Sequence, residues 1–180
     1  MKKKRVTKSV KVLGEGTYLR LVKDHGWEYV QRRGCRGVVI IVAVTPDRRI
    51  VLTEQARRPV YRRVIEYPAG LVGDRVGSRR ETVVQAAKRE LLEETGYRAG
   101  KMTVLTRGPS SSGSSSVKVT FLRAERILKT HPGGGDGNED ITVHEVPLKD
   151  IEAWLNRKRR SGRLVDPKIY AGLYFLNKYN

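Results

Sequence analysis

The chain has 180 residues, 38% of them hydrophobic, which is enough for one domain with a full core and too short for two ordinary ones. Lys and Arg number 37 against 19 Asp and Glu, so the formal charge of +18 selects polyanionic partners without saying which. The single Cys35 excludes an internal disulfide, and no apolar run follows Met1-Lys2-Lys3-Lys4-Arg5, so the expectation is a soluble protein of the reducing cytoplasm with no membrane span.

Residues 6–35 carry short strand patterns separated by glycine. Tyr18 to Val22 and Trp27 to Gln31 flank a turn at Asp24-His25-Gly26, which predicts an N-terminal β-hairpin. Gly37 to Val44 is continuously apolar and rich in β-branched residues, the pattern of a central strand covered on both faces. A turn at Thr45 to Arg49 leads into a second strand, Ile50 to Ala56, which delivers Glu54, Arg57 and Arg58 to its end before Pro59 stops it.

A helix is expected over Arg79 to Thr95, with Ala86, Ala87 and Leu91 on its apolar side. Ser78-Arg79-Arg80-Glu81 has the form of a capping box, so Glu81 can close the helix start or act in chemistry. Within the helix Glu90, Glu93 and Glu94 are spaced i, i+3, i+4, and three carboxylates leave one side within a turn. They repel one another and lie where the helix dipole disfavours anions, so a cation belongs there. Hard oxygen donors of this kind suit Mg²⁺ or Mn²⁺.

Met102 to Thr106 and Val117 to Leu122 are strand candidates around Gly108-Pro109 and Ser110 to Ser116, a stretch with the composition of a flexible linker. A second glycine-rich loop, Pro132 to Asp140, precedes a strand at Ile141 to Val146 and a helix from Leu148. Asp166 and Pro167 start a last helix, from which Leu173, Phe175 and Leu176 point inward. His25, His131 and His144 have no metal-ligand spacing. The basic runs Lys2 to Arg5 and Arg157 to Arg160 read as solvated surface, or as the footprint of an RNA-binding or decapping module, against which stands the lack of interleaved aromatics.

Arg89-Glu90-Leu91-Leu92-Glu93-Glu94-Thr95-Gly96-Tyr97 resembles the second half of the Nudix hydrolase signature, and Glu81 lies the expected eight positions before Arg89. The chain departs from the pattern upstream. The signature glycine ordinarily precedes that Glu by six positions, whereas Gly70 precedes Glu81 by eleven, so Gly73 to Ser78 reads as a lengthened loop. Glu54-Gln55-Ala56-Arg57 and Glu66-Tyr67-Pro68-Ala69-Gly70 are similar to elements that accompany the signature in ADP-ribose pyrophosphatases.

The resemblance implies an α/β Nudix α/β/α sandwich with a mixed sheet over residues 36–180, preceded by an N-terminal β-hairpin extension over 1–35 that forms part of a homodimer contact. It implies Mg²⁺-dependent hydrolysis of a nucleoside diphosphate sugar, ADP-ribose first, with a GDP-sugar or a dinucleoside polyphosphate as alternatives. The metal ligands are then Glu90, Glu94 and the Ala69 carbonyl, and Arg89 and Glu93 belong to the catalytic set. Arg57 contacts the diphosphate and Glu66 the substrate, with Arg58 beside them and Ser112 of the serine loop offering a hydroxyl to phosphate. For Arg57 the competing reading is a surface ion pair. Trp27 either stacks near the partner's nucleobase or only packs the hairpin. In relatives the general base comes from the acidic loop, which here offers Asp136, Glu139 and Asp140, with Gly137 where some relatives have an acid. Glu139 is the expected base or a helper in holding the metal, and the competing reading leaves all three acids solvated.

Overall fold

The structure, a computed structural model, describes residues 9–74, 80–135 and 139–178. Three antiparallel strands, β1 (Lys11–Glu15), β2 (Leu19–Asp24) and β3 (Trp27–Arg32), make a small sheet of their own. The expected hairpin is β2 and β3, and β1 adds a third strand beside β2.

The main sheet contains β4 (Val38–Val44), β5 (Arg49–Arg57), β6 (Arg62–Glu66), β7 (Ala69–Leu71), β8 (Tyr97–Pro109), β9 (Lys118–Lys129), β10 (Ile141–Pro147) and β11 (Leu164–Val165). Its order is β11-β6-β5-β4-β9-β8, with β10 also paired to β5 and β7 to β4. The β4–β9 and β11–β6 pairs are parallel and the others antiparallel, so the sheet is mixed.

Among the described residues three α-helices cover the sheet: α1 (Val83–Thr95), α2 (Ile151–Arg160) and α3 (Lys168–Lys178). Because side chains alternate along a strand, Val39, Ile41 and Ala43 of β4 pack with Ala86, Ala87 and Leu91 of α1, while Ile40 and Val42 pack with Leu155 of α2 and Ile169 and Leu176 of α3. An unbroken apolar run is therefore what β4 needs.

Several boundaries differ from expectation: β8 and β9, at 13 and 12 residues, run well beyond the expected Met102 to Thr106 and Val117 to Leu122. The helix α1 starts at Val83, four residues after Arg79, because Thr82 and Gln85 form the capping box in which the Thr82 side chain accepts from the Gln85 N–H. Ser78 lies outside the described residues, and the carboxylate of Glu81 turns to other partners. The serine-rich stretch is no free linker, since the N–H of Val30 donates to the Ser114 carbonyl at 2.9 Å and the N–H of Ser116 to the Val30 carbonyl at 3.0 Å. The loop is stitched to β3 and carries the small sheet on the main one.

A polar knot ties α2 to the sheet. Glu54 of β5, with its side chain only 5% exposed, accepts from Lys158 at 2.8 Å, His144 at 2.9 Å, Arg63 at 3.0 Å and Arg163 at 3.3 Å. Burial alone raises the Glu54 carboxyl, but these hydrogen bonds more than offset it and hold the group at about 2. Lys158 is thus an internal partner of the sheet, which corrects the reading of Arg157 to Arg160 as uniformly solvated.

A carboxyl depressed on folding contributes stability that is complete above its unfolded value of 4.5 and disappears as the pH falls toward 2. Glu54→Gln should cost about 2 kcal/mol at pH 7, less than the ~3–5 kcal/mol of a fully buried pair because the cations keep solvent contact. Urea midpoints should converge between variant and parent as the pH approaches 2. Equal midpoints at pH 7 contradict the assignment.

Candidate active site

The carboxylates of α1 face β7 across a contact that only glycine permits. A Cβ added to Gly70 would stand 1.9 Å from Cδ of Glu90, so the absence of a side chain is what lets the helix carboxylate lie over the strand. Beside it the N–H of Ala69 donates to Oε2 of Glu94 at 3.2 Å. Glu94 is 3% exposed.

Arg89 is the cation that the carboxylate cluster demanded. Its guanidinium donates to Glu81 Oε1 at 2.9 Å, Glu90 Oε1 at 2.7 Å, Glu93 Oε2 at 3.3 Å and the Leu71 carbonyl at 3.1 Å. Glu81 also accepts from the N–H of Gly73 at 2.9 Å. Glu81 therefore locks Arg89 and the lengthened loop to the helix; it is neither a cap nor a free acid. Even so, burial, with the nearby charges of Glu93 and Asp74, pushes the Glu90 carboxyl up to about 6 against the pull of Arg89. Burial and the Glu90 charge push Glu94 well above the usual carboxylate range, opposed by the Ala69 N–H.

These groups line a cavity of about 730 Å³. Its acidic lining comprises Glu66, Asp74, Glu90, Glu93, Glu94 and Glu139, and Arg32, Arg57, Arg89 and Lys168 bring positive charge to it. Arg57 and Glu66 are joined to each other at 2.6 Å, so the ion pair and the cavity position are both real. A second lining, from Leu19, Val30, Val38, Val117 and Val119, is apolar.

Glu139 reaches the cavity from the glycine loop, which is docked on the end of α1. Gly96 closes the helix in a left-handed conformation, and the N–H groups of Gly134 and Gly135 donate to the Glu94 and Glu93 carbonyls at 2.8 and 3.1 Å. Asp140 turns away to Arg63 at 2.6 Å, and Asp136 lies outside the described residues.

Of the expected site residues, Arg57, Glu66, Ala69, Arg89, Glu90, Glu93, Glu94 and Glu139 are brought together. Three are not. Arg58 is exposed on a short 3₁₀ turn, and Trp27 and Ser112 share a separate cavity with Tyr29 and Ser116, because the serine loop pairs with β3 on that side. Arg32 and Lys168 were missed. Arg32 follows Val30 by two, and so shares its face of β3, a signal the strand pattern contains.

Among the described residues no three His, Cys, Asp or Glu side chains are arranged as a ready metal site. The donor chemistry nevertheless fits a hard divalent cation: Glu90, Glu94 and the Ala69 carbonyl are oxygen donors on adjoining elements, and both acids are charged only at a cost that a cation would offset.

The NUDIX domain model matches residues 35–166, and the chain belongs to the Nudix family. It is 35% identical over 115 residues to an ADP-ribose pyrophosphatase of Bacillus subtilis (strain 168), covering 63% of this chain and 60% of that protein. It is 30% identical over 141 residues to a methanol dehydrogenase activator of Bacillus methanolicus, covering 78% and 71%. It is 31% identical over 140 residues to a GDP-mannose pyrophosphatase of Pectobacterium atrosepticum, covering 73% and 67%. In fold it is similar to the crystal structure of an ADP compounds hydrolase, with a TM-score of 0.72 at 20% identity over 98% of this chain and 96% of that one. Members of the family generally depend on a divalent metal.

Adding one methyl at Gly70 should displace Glu90 and lower the unfolding free energy by about 1–3 kcal/mol, as overpacking does. Gly108 is the control, because a Cβ there meets nothing within 4 Å. Gly70→Ala and Gly108→Ala unfolding at the same urea concentration contradicts the contact.

Proposed function

We propose that this protein is a divalent-metal-dependent hydrolase of nucleoside diphosphate sugars, with ADP-ribose as the leading substrate, cleaved by water at the diphosphate to AMP and ribose 5-phosphate. The observation that supports the reading is one cavity lined by Ala69, Glu90, Glu94, Arg57 and Glu139.

In this reading Glu90, Glu94 and the Ala69 carbonyl hold Mg²⁺, with Mn²⁺ as the alternative. The bound cation supplies charge neutralisation of the diphosphate and a lowered pKa for water. Arg57, oriented by Glu66, binds diphosphate oxygens. Arg89 keeps Glu81, Glu90 and Glu93 together at fixed separations. Glu139 takes the proton from the attacking water, a role supported by its place on the cavity while Asp140 is engaged by Arg63. The relative named for GDP-mannose favours a GDP-sugar as the second substrate to test. The single Cys35 supports a reducing, cytoplasmic setting.

A panel of ADP-ribose, GDP-mannose and dinucleoside polyphosphates with Mg²⁺, read by product mass, tests the reading. Glu94→Gln should collapse turnover. Folding disfavours the charge on Glu94, so with chelator present the thermal midpoint of Glu94→Gln should match or exceed the parent's at pH 7. Glu139→Gln should lower kcat far more than KM. Near-normal turnover of ADP-ribose by Glu94→Gln at saturating Mg²⁺ sinks the assignment.

We further propose a two-part organisation, in which residues 1–35 form a dimer contact ahead of the catalytic domain. Support comes from the apolar groups the small sheet leaves in solvent: Val12, Leu13, Leu21, Tyr18 at 71% and Trp27 at 65% exposure. Sedimentation should give a dimer at micromolar concentration, and removal of residues 1–33 a monomer or an aggregate. A full-length monomer rules the contact out.

A further inference from the structure

A second, smaller cavity of about 260 Å³ adjoins the first, the two sharing Arg32 and Val117 in their linings. Its charged residues are Arg32, Arg36, Arg107 and Lys118, and among the described residues no carboxylate lines it. The link from β3 to β4 brings these cations to one place. Gly37 approaches β9 so closely that an added Cβ would lie 3.0 Å from the Lys118 carbonyl, and Arg107 sits two residues before Pro109, the register partner of Lys118. Arg36 is fixed by its backbone N–H to the Val72 carbonyl at 2.9 Å and by its guanidinium to the Glu81 carbonyl.

Some surface cations have acids for neighbours, as in Arg33 with Glu15, Lys101 with Glu125 and Lys129 with Glu145, and others, such as Arg58 and Arg62, stand singly in solvent among the described residues. Among the described residues Arg32, Arg107 and Lys118 also have no acid partner. Four exposed like charges around one concavity repel only weakly in water but offer an anion a convergent set of donors, and guanidinium groups favour phosphate because two N–H donors can meet two oxygens.

We propose that this cavity is a phosphate subsite continuous with the substrate cavity. It would receive a phosphate monoester carried on the nucleoside ribose of a nucleoside diphosphate sugar. The proposal rests on the function proposed above and extends it, since it assigns to Arg32 and the apolar lining the nucleoside part of the substrate. The route is on the surface of the cavity itself: Val30 and Arg32 lie on one face of β3, so a nucleoside against Leu19, Val30 and Val117 presents its ribose substituents to Arg32 and, past it, to Arg107 and Lys118.

Equilibrium binding of ADP-ribose and of its 2′-phosphorylated form tests the subsite without requiring turnover. It uses the full chain and the Arg107→Gln/Lys118→Gln double variant, both exposed positions outside the catalytic cavity. The parent should bind the phosphorylated form about tenfold more tightly, a difference of about 1.4 kcal/mol. The double variant should bring the two ligands to near parity while leaving ADP-ribose affinity within a factor of two, and raised salt should narrow the preference in the parent alone. Equal affinity of the parent for both ligands overturns the proposal. So does an effect of inorganic phosphate on ADP-ribose binding that the double variant abolishes with no preference between the ligands, because the anion is then free and not borne by substrate. Tight, discriminating binding without hydrolysis of either compound leaves the subsite standing and removes the hydrolase reading instead.

Discussion

One guanidinium holds the site together. Arg89 meets Glu81, Glu90 and Glu93 at once and also reaches the Leu71 carbonyl, so it links the helix, the lengthened loop and the strand that precedes that loop. Without it Glu81, Glu90 and Glu93 would face one another with no cation between them. With it, Glu90 still stands near neutrality's lower edge and Glu94 well above its ordinary range. The site combines enough positive charge to keep the acids assembled with too little to satisfy them, and a group in that condition binds hard cations well.

The helix and its acids were legible in the sequence because their information is local. Spacing of i, i+3, i+4 fixes which carboxylates share a side, and Gly96 marks where the helix stops. The central strand was legible for the same reason, as one unbroken apolar run. Residues that meet through tertiary distance were not. Glu54 appeared as the first letter of a family element, and nothing in its neighbourhood announces that Lys158 and Arg163, more than a hundred positions later, converge on it. The helix start was misplaced because Ser78 and Thr82 both offer a hydroxyl with a suitable partner three residues on, and pattern alone cannot choose between them.

Composition misled at the serine-rich stretch. Seven residues with no large side chain look like a chain without preference, yet their backbone groups are as capable of pairing as any others. Val30 supplies the matching edge on β3, and the result is a bridge between two sheets. That bridge also explains why Trp27 and Ser112 share a cavity of their own. The hairpin is oriented by the loop it grips, and the orientation directs Val30 and Arg32, not Trp27, toward the catalytic cavity.

The docking of Gly134 and Gly135 on the end of α1 joins two properties in the same residues. Glu93 and Glu94 offer their carbonyls to the loop and their side chains to the cavity. A displacement of the loop large enough to break those two hydrogen bonds would loosen the last turn of the helix, and the acids would move with it. Gly134, Gly135 and the turn that carries Glu93 and Glu94 are therefore one hydrogen-bonded unit, in which the backbone pairing and the placement of the acids depend on each other.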